Sequence, residues 1–187
     1  MIIALSGPSG IGKGYAKEAI KELYPNTKEL LWYTTRALRP NEVNGISKNR
    51  AHIDIEDFEK QRNNFALIQE IFNNKYAVKK SDLLESEEVI LTEIHPYVVG
   101  EAKNINPRIV TIGLITDDFD LLAERLAIRR KTESEDEIRE RVKEAVKEVK
   151  AVKKNCALYD EIVTINRENE EKVKAIMQEI FEKYRRR

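Results

Sequence analysis

The chain has 187 residues, of which 41% are hydrophobic and 35% charged, and Lys+Arg balances Asp+Glu at 33 each. That length fits one domain with room for a small inserted unit, and the apolar share is enough to bury a core, which argues against disorder. Balanced charge argues against a dedicated nucleic-acid or anionic-membrane binder. The single cysteine, Cys156, excludes an internal disulfide, fits a reducing compartment and has no neighbours at metal-ligand spacing.

Residues 1–6 read as a buried strand, and their apolar run is far too short for a secretory segment. No stretch approaches the roughly 20 apolar residues of a membrane span, so a soluble cytoplasmic protein is expected. A Gly-rich turn follows, then a helix from Lys13 carrying Tyr15, Ala16, Ala19, Ile20 and Leu23 at helical spacing, stopped by Pro25 and Asn26. Residues 30–33 form a strand candidate, and 36–50 read as a polar loop. A short helix is expected at 55–61 and strands at 66–72, 89–93 and 108–115, the second of these ending on Glu93. Thr116 is placed to cap the next helix, and Ser134 with Glu137 has capping-box spacing. A strand at 161–165 and an amphipathic helix through Val173, Met177, Phe181 and Tyr184 close the chain. Apolar strands alternating with amphipathic helices predict an α/β fold, with a parallel sheet of about five strands covered by helices on both faces.

Gly7-Pro8-Ser9-Gly10-Ile11-Gly12-Lys13 matches G-x-x-x-x-G-K between a predicted strand and a predicted helix, the context that a phosphate loop requires. Its glycines let successive N–H groups converge on an anion at a helix N-terminus, and Lys13 adds a charge for the β- and γ-phosphates. ATP, accompanied by Mg²⁺, is the implied ligand. The position after the lysine is Gly14, so the hydroxyl that usually ligates Mg²⁺ is missing; Ser9 and Glu93, acting through water, are the candidate substitutes.

Thr34-Thr35-Arg36-Ala37-Leu38-Arg39-Pro40-Asn41-Glu42-Val43-Asn44-Gly45 resembles the T-T-R-x-x-R-x-x-E-x-x-G signature of guanylate kinases, and the similarity extends over nearly the whole chain. The resemblance implies a core at about 1–33 and 88–187, an acceptor-binding subdomain at about 34–87 and a helical lid at about 125–140. It implies ATP-dependent phosphorylation of a nucleoside monophosphate by a monomer or homodimer. Arg36, Arg39 and Tyr76 would hold the acceptor phosphate, with Glu70 and Glu93 also on the acceptor. Arg129, Arg130 and Arg141 would close over the transferring group, and Asn166 would lie beside the adenine. Guanidinium groups suit the phosphate roles because they offer planar bidentate donors.

The base-reading positions depart from that family. A guanine-contacting serine falls at Trp32, the guanine-binding glutamate near Leu67 with Gln69 and Glu70 as displaced substitutes, a hydroxyl position at Val78 and a strand-end aspartate at His95. Losing such groups removes the reason to prefer guanine. A ribose 1,5-bisphosphate phosphokinase is the alternative. It is favoured by Gly14 and by the pattern of His52-Ile53 followed by Phe65-Ala66-Leu67. A non-catalytic guanylate-kinase-like binding module is the second alternative, opposed by the intact Gly7, Gly12 and Lys13.

Overall fold

The computed structural model describes residues 1–38, 46–47, 49–71, 73–84, 88–129 and 134–186. In chain order the elements are β1 (Ile2–Ser6), α1 (Lys13–Leu23), β2 (Lys28–Glu29), β3 (Trp32–Thr34), β4 (Ile46–Ser47), β5 (Arg50–His52), α2 (Ile55–Lys60) and β6 (Phe65–Ile71). There follow β7 (Asn74–Lys79), β8 (Ile90–Ile94), α3 (Val99–Ile105), β9 (Val110–Ile115), α4 (Phe119–Arg129), α5 (Glu135–Lys154), β10 (Glu161–Thr164) and α6 (Val173–Arg185).

One sheet is wholly parallel, in the order β10-β9-β1-β8-β2. Its central strand β1 is buried throughout because helices cover one face and the second sheet with α3 covers the other. Ile3 and Leu5 face a core built with Ala16, Ala19 and Ile20 of α1 and Met177 and Phe181 of α6. Ile2 and Ala4 face the other way, toward Leu30, Trp32, Val99 and Ala102. A strand buried on both faces has no polar positions to alternate, which is why its sequence is a continuous apolar run.

The second sheet runs β4-β5-β3-β7-β6 and is mixed, with β3 parallel to β5 and antiparallel to β7. Ala66, Leu67 and Val78 on its inner side join the apolar cluster under the first sheet. Phe65 and Ala77 on its outer side pack on Phe58 of α2, the Phe58 and Phe65 rings lying 5.0 Å apart. Asp54 caps α2 by accepting from Asp57 N at 2.7 Å.

The expected strand at 30–33 straddles the gap between two strands of different sheets, β2 ending at Glu29 and β3 beginning at Trp32. Leu30 N donates to Leu91 O at 2.9 Å and Trp32 N to Asn49 O at 2.8 Å, so the chain changes sheets within three residues. The expected polar loop at 36–50 contains β4 and the start of β5, and β7 and α3 had no counterpart in the sequence reading. Thr116 does not cap α4: its hydroxyl accepts from Asp118 N, while Asp118 Oδ1 accepts from Leu121 N at 2.9 Å. The Ser134–Glu137 capping box does form on α5. Among the described residues no helix is long and apolar enough to cross a membrane.

Candidate active site

At the C-terminal end of β1 the chain turns sharply into α1. Gly7 has φ +141°, and a Cβ there would lie 2.1 Å from the Leu114 carbonyl oxygen, so only glycine fits. Gly12, at φ 113°, precedes α1, whose first turn has neither a side-chain cap nor an acidic residue. No side chain competes for the helix N-terminus, and the positive end of its dipole therefore favours an anion there. Lys13 lies back over the loop, donating to the carbonyls of Gly7 at 2.6 Å and Pro8 at 2.9 Å. A Cβ built on Gly14 would meet nothing within 4 Å, so there is room for the absent hydroxyl. Arg125 of α4, not singled out in the sequence, donates to Ile11 O at 3.1 Å and lines the same cleft.

The cleft, of about 1470 Å³, runs from Gly7, Ser9, Gly10, Ile11, Gly12, Lys13 and Gly14 to the second sheet. Between them lies a charged network that the sequence reading missed. Lys17, buried on α1, reaches Glu29 Oε2 at 2.6 Å and Glu93 Oε1 at 2.9 Å, and Lys21 reaches Glu29 Oε1 at 2.5 Å. Burial pushes the Glu93 carboxyl up, but Lys13, Lys17 and Arg50 outweigh it and hold the group below the usual carboxylate range. Glu29 is likewise held low against burial by Lys17 and Lys21.

On the acceptor side, Thr34 is buried and its hydroxyl accepts from Arg36 N at 3.1 Å. Thr35 is tied to Lys75 in both directions: its N donates to Lys75 O at 3.1 Å, and its hydroxyl accepts from Lys75 N at 2.9 Å. The threonine pair thus anchors the segment presenting Arg36, which lines the cleft with Asn49, Arg50 and Tyr76. Arg39 and Arg130 lie outside the described residues, as does the side chain of Arg129; Arg141 of α5 lines the cleft. His95, at the end of β8, approaches Glu148 of α5 at 3.4 Å.

Two of the expected residues are not among those lining the cleft, Asn166 and Glu70. Asn166 is absent from the cleft lining; its Oδ1 closes its own turn, accepting from Glu168 N and Asn169 N, each at 3.1 Å. Glu70 is exposed and lies on the strand face away from the cleft, where it pairs with Lys75. The reason is a bulge in β6: Ala66 pairs with Val78, yet Gln69 pairs with Tyr76. The extra residue reverses the alternation and puts Gln69, rather than Glu70, on the cleft face. Leu67, in the bulge, has φ 52°, and its N–H donates to Glu101 Oε1 of α3 at 2.9 Å. The Gln69 carboxamide oxygen is buried with no hydrogen-bond partner among the described residues, a situation that costs about 1–3 kcal/mol.

No family model matches the chain. It is 30% identical to a guanylate kinase of Carboxydothermus hydrogenoformans over 87% of this chain and 79% of the relative. With a guanylate kinase of Clostridioides difficile the identity is 33%, over 82% and 76% respectively. The chain belongs to the guanylate kinase family. A crystal structure of guanylate kinase from Anaplasma phagocytophilum has the same fold, with a TM-score of 0.69 at 21% identity, over 99% of this chain and 84% of that one.

Against that family background, Trp32, Leu67 and Val78 matter most. All three are buried in one apolar cluster, and the Trp32 indole N–H is spent on Thr92 Oγ1 at 3.0 Å. Trp32 also lines the cleft, whereas Leu67 and Val78 are wholly buried away from it. Among the described residues no cluster of carboxylates or histidines forms a dedicated magnesium centre, and both expected substitutes, Ser9 and Glu93, line the cleft. Gly14 has no hydroxyl, and Glu93, expected as a ligand through water, is paired with Lys17 and surrounded by cations that repel a dication.

Proposed function

We propose that this enzyme transfers the γ-phosphoryl group of magnesium-bound ATP to the phosphate of a nucleoside monophosphate. The observation that carries this reading is the opening of the uncapped phosphate loop and the Arg36–Tyr76 surface onto one continuous cleft. The triphosphate takes the loop N–H groups, and Lys13 leaves the Gly7 and Pro8 carbonyls to meet it. The adenine lies toward Arg125, Ile165 and Val173. The acceptor phosphate sits on Arg36 and Tyr76, joined by Arg39, and Glu93 accepts a hydrogen bond from the acceptor.

An acceptor phosphate oxygen attacks Pγ as the bond to the β–γ bridging oxygen breaks, and ADP leaves. The acceptor is already anionic, so positioning and charge neutralisation suffice without a general base. Arg129, Arg130 and Arg141 supply the neutralisation, and closure of the lid excludes water that would waste ATP. A cytoplasmic location fits this substrate pair.

Burial of Trp32, Leu67 and Val78 favours a second reading, a ribose 1,5-bisphosphate acceptor that has no base to read. The test is ADP release from ATP and Mg²⁺ against GMP, dGMP, AMP, CMP, UMP, dTMP and ribose 1,5-bisphosphate. Turnover with one or more nucleotides supports the proposal. Turnover with the sugar bisphosphate alone moves the assignment to the second reading, and silence across the panel refutes both.

A further inference from the structure

We propose that Gln69 is the residue that reads the acceptor's base, and that the β6 bulge, pinned by Glu101, puts it in position to do so. The inference rests on the nucleoside monophosphate reading above. Simple alternation from Ala66 would bring Glu70 to the cleft; the one-residue bulge brings Gln69 beside Tyr76 instead. A bulge leaves a backbone donor out of the ladder, and here the Glu101 carboxylate takes the Leu67 N–H from across the apolar cluster. Glu101 is thus a positioning residue, acting on the acceptor through the backbone of β6. The Gln69 carboxamide lines the cleft while its oxygen lacks a partner. Its terminal torsion is soft, so a small rotation turns that oxygen toward an arriving ligand.

The chemistry of the amide sets the substrate class. Guanine alone among the common bases presents two adjacent N–H donors, N1–H and N2–H, which a carboxylate can accept together. An amide offers one donor beside one acceptor. Every common base shows a matching pair: N6–H and N1 of adenine, N4–H and N3 of cytosine, N3–H and O4 of uracil, N1–H and O6 of guanine. With Trp32 on the same cleft, its indole N–H already spent on Thr92, and Leu67 and Val78 buried out of it, Gln69 makes this a broad-specificity acceptor site. A carboxylate in its place would make the site guanine-selective.

The experiment measures kcat and KM of the full chain for GMP, AMP, CMP and UMP with saturating ATP and Mg²⁺, in wild type and variants that retain the wild-type thermal midpoint. Wild type should turn over all four with kcat/KM within about tenfold of one another. Gln69→Glu should raise the GMP:AMP ratio by on the order of 10- to 100-fold. Gln69→Ala should raise the acceptor KM by roughly 3- to 10-fold for every base and leave the ATP KM unchanged. Glu101→Gln, whose amide oxygen still accepts from Leu67 N, should behave as wild type, whereas Glu101→Ala should reproduce Gln69→Ala. A Gln69→Glu variant with base ratios unchanged from wild type overturns the proposal while leaving the kinase assignment standing. Wild-type turnover of ribose 1,5-bisphosphate but of no nucleotide overturns the assignment first, and the base-reading role with it.

Discussion

Lys17→Met removes the ammonium held between Glu29 and Glu93 and keeps the length of the side chain. Taking one partner from a buried ion pair costs about 3–5 kcal/mol when nothing replaces it. Here Glu29 keeps Lys21, and Glu93 keeps Lys13 and Arg50 nearby. The expected loss at neutral pH is therefore about 2 kcal/mol. In a chain of this size that lowers the thermal midpoint by about 4–8 °C. The sign with pH follows from the carboxyls. Both are held below their ordinary value in the folded protein, so their contribution is fully present above the unfolded value of about 4.3 and is lost as pH falls through the folded one. The gap between wild type and Lys17→Met should thus be full at about pH 7 and close toward about pH 3. Calorimetric scans at both pH values test it, with Lys17→Arg, which keeps the charge, as control. An equal gap at the two pH values would refute the electrostatic account and leave a packing role.

Lys13→Ala should lower kcat by at least about 10²–10³-fold, as expected for removing a preorganised donor to developing charge, and a near-wild-type rate in a phosphoryl-transfer assay would sink the loop assignment. Arg36→Ala should raise the acceptor KM by about 10- to 100-fold and leave the ATP KM in place; steady-state kinetics with each substrate varied separates the two. Gly14→Ser meets no atom at its Cβ. It should stabilise α1 by about 0.5 kcal/mol and reduce the Mg²⁺ concentration giving half-maximal rate, which thermal melts and a magnesium titration check.

The strand, turn and helix around Gly7 to Lys13 were legible because their signals are local: strand, glycines, lysine and helix occupy consecutive positions, and the backbone they dictate depends on little else. The Thr34-Thr35-Arg36 segment was legible for a similar reason, since its threonines fasten the chain a few atoms from the arginine they present. Which of Gln69 and Glu70 faces the cleft was not, because the face a strand residue takes depends on pairing with β7, and a bulge stabilised by Glu101, 34 positions beyond Leu67, cannot be seen by counting in twos. Arg50 was read as part of a polar loop because β5 is only three residues long and owes its extension to β3. Lys17 sits where an amphipathic helix turns inward, and only Glu29 and Glu93, brought in from two other elements, make a lysine tolerable there. Asn166 shows asparagine's habit of bonding its own following backbone, with its Oδ1 closing the turn after β10.

Lys13, Lys17 and Lys21 stand four residues apart on α1, so successive rungs are about 6 Å apart along one rigid rod. The first touches the phosphate loop and the next two hold the acids at the cleft's middle. Under the proposed function the helix works as a ruler, fixing the span between donor and acceptor by its rise rather than by any loop. One inserted residue would swing the later rungs by about 100° and cut both acids loose. Replacing the lysines at rungs two and three would retune the cleft and leave the proposed phosphate grip at rung one untouched, a division of labour that allows the acceptor to change while the donor stays ATP.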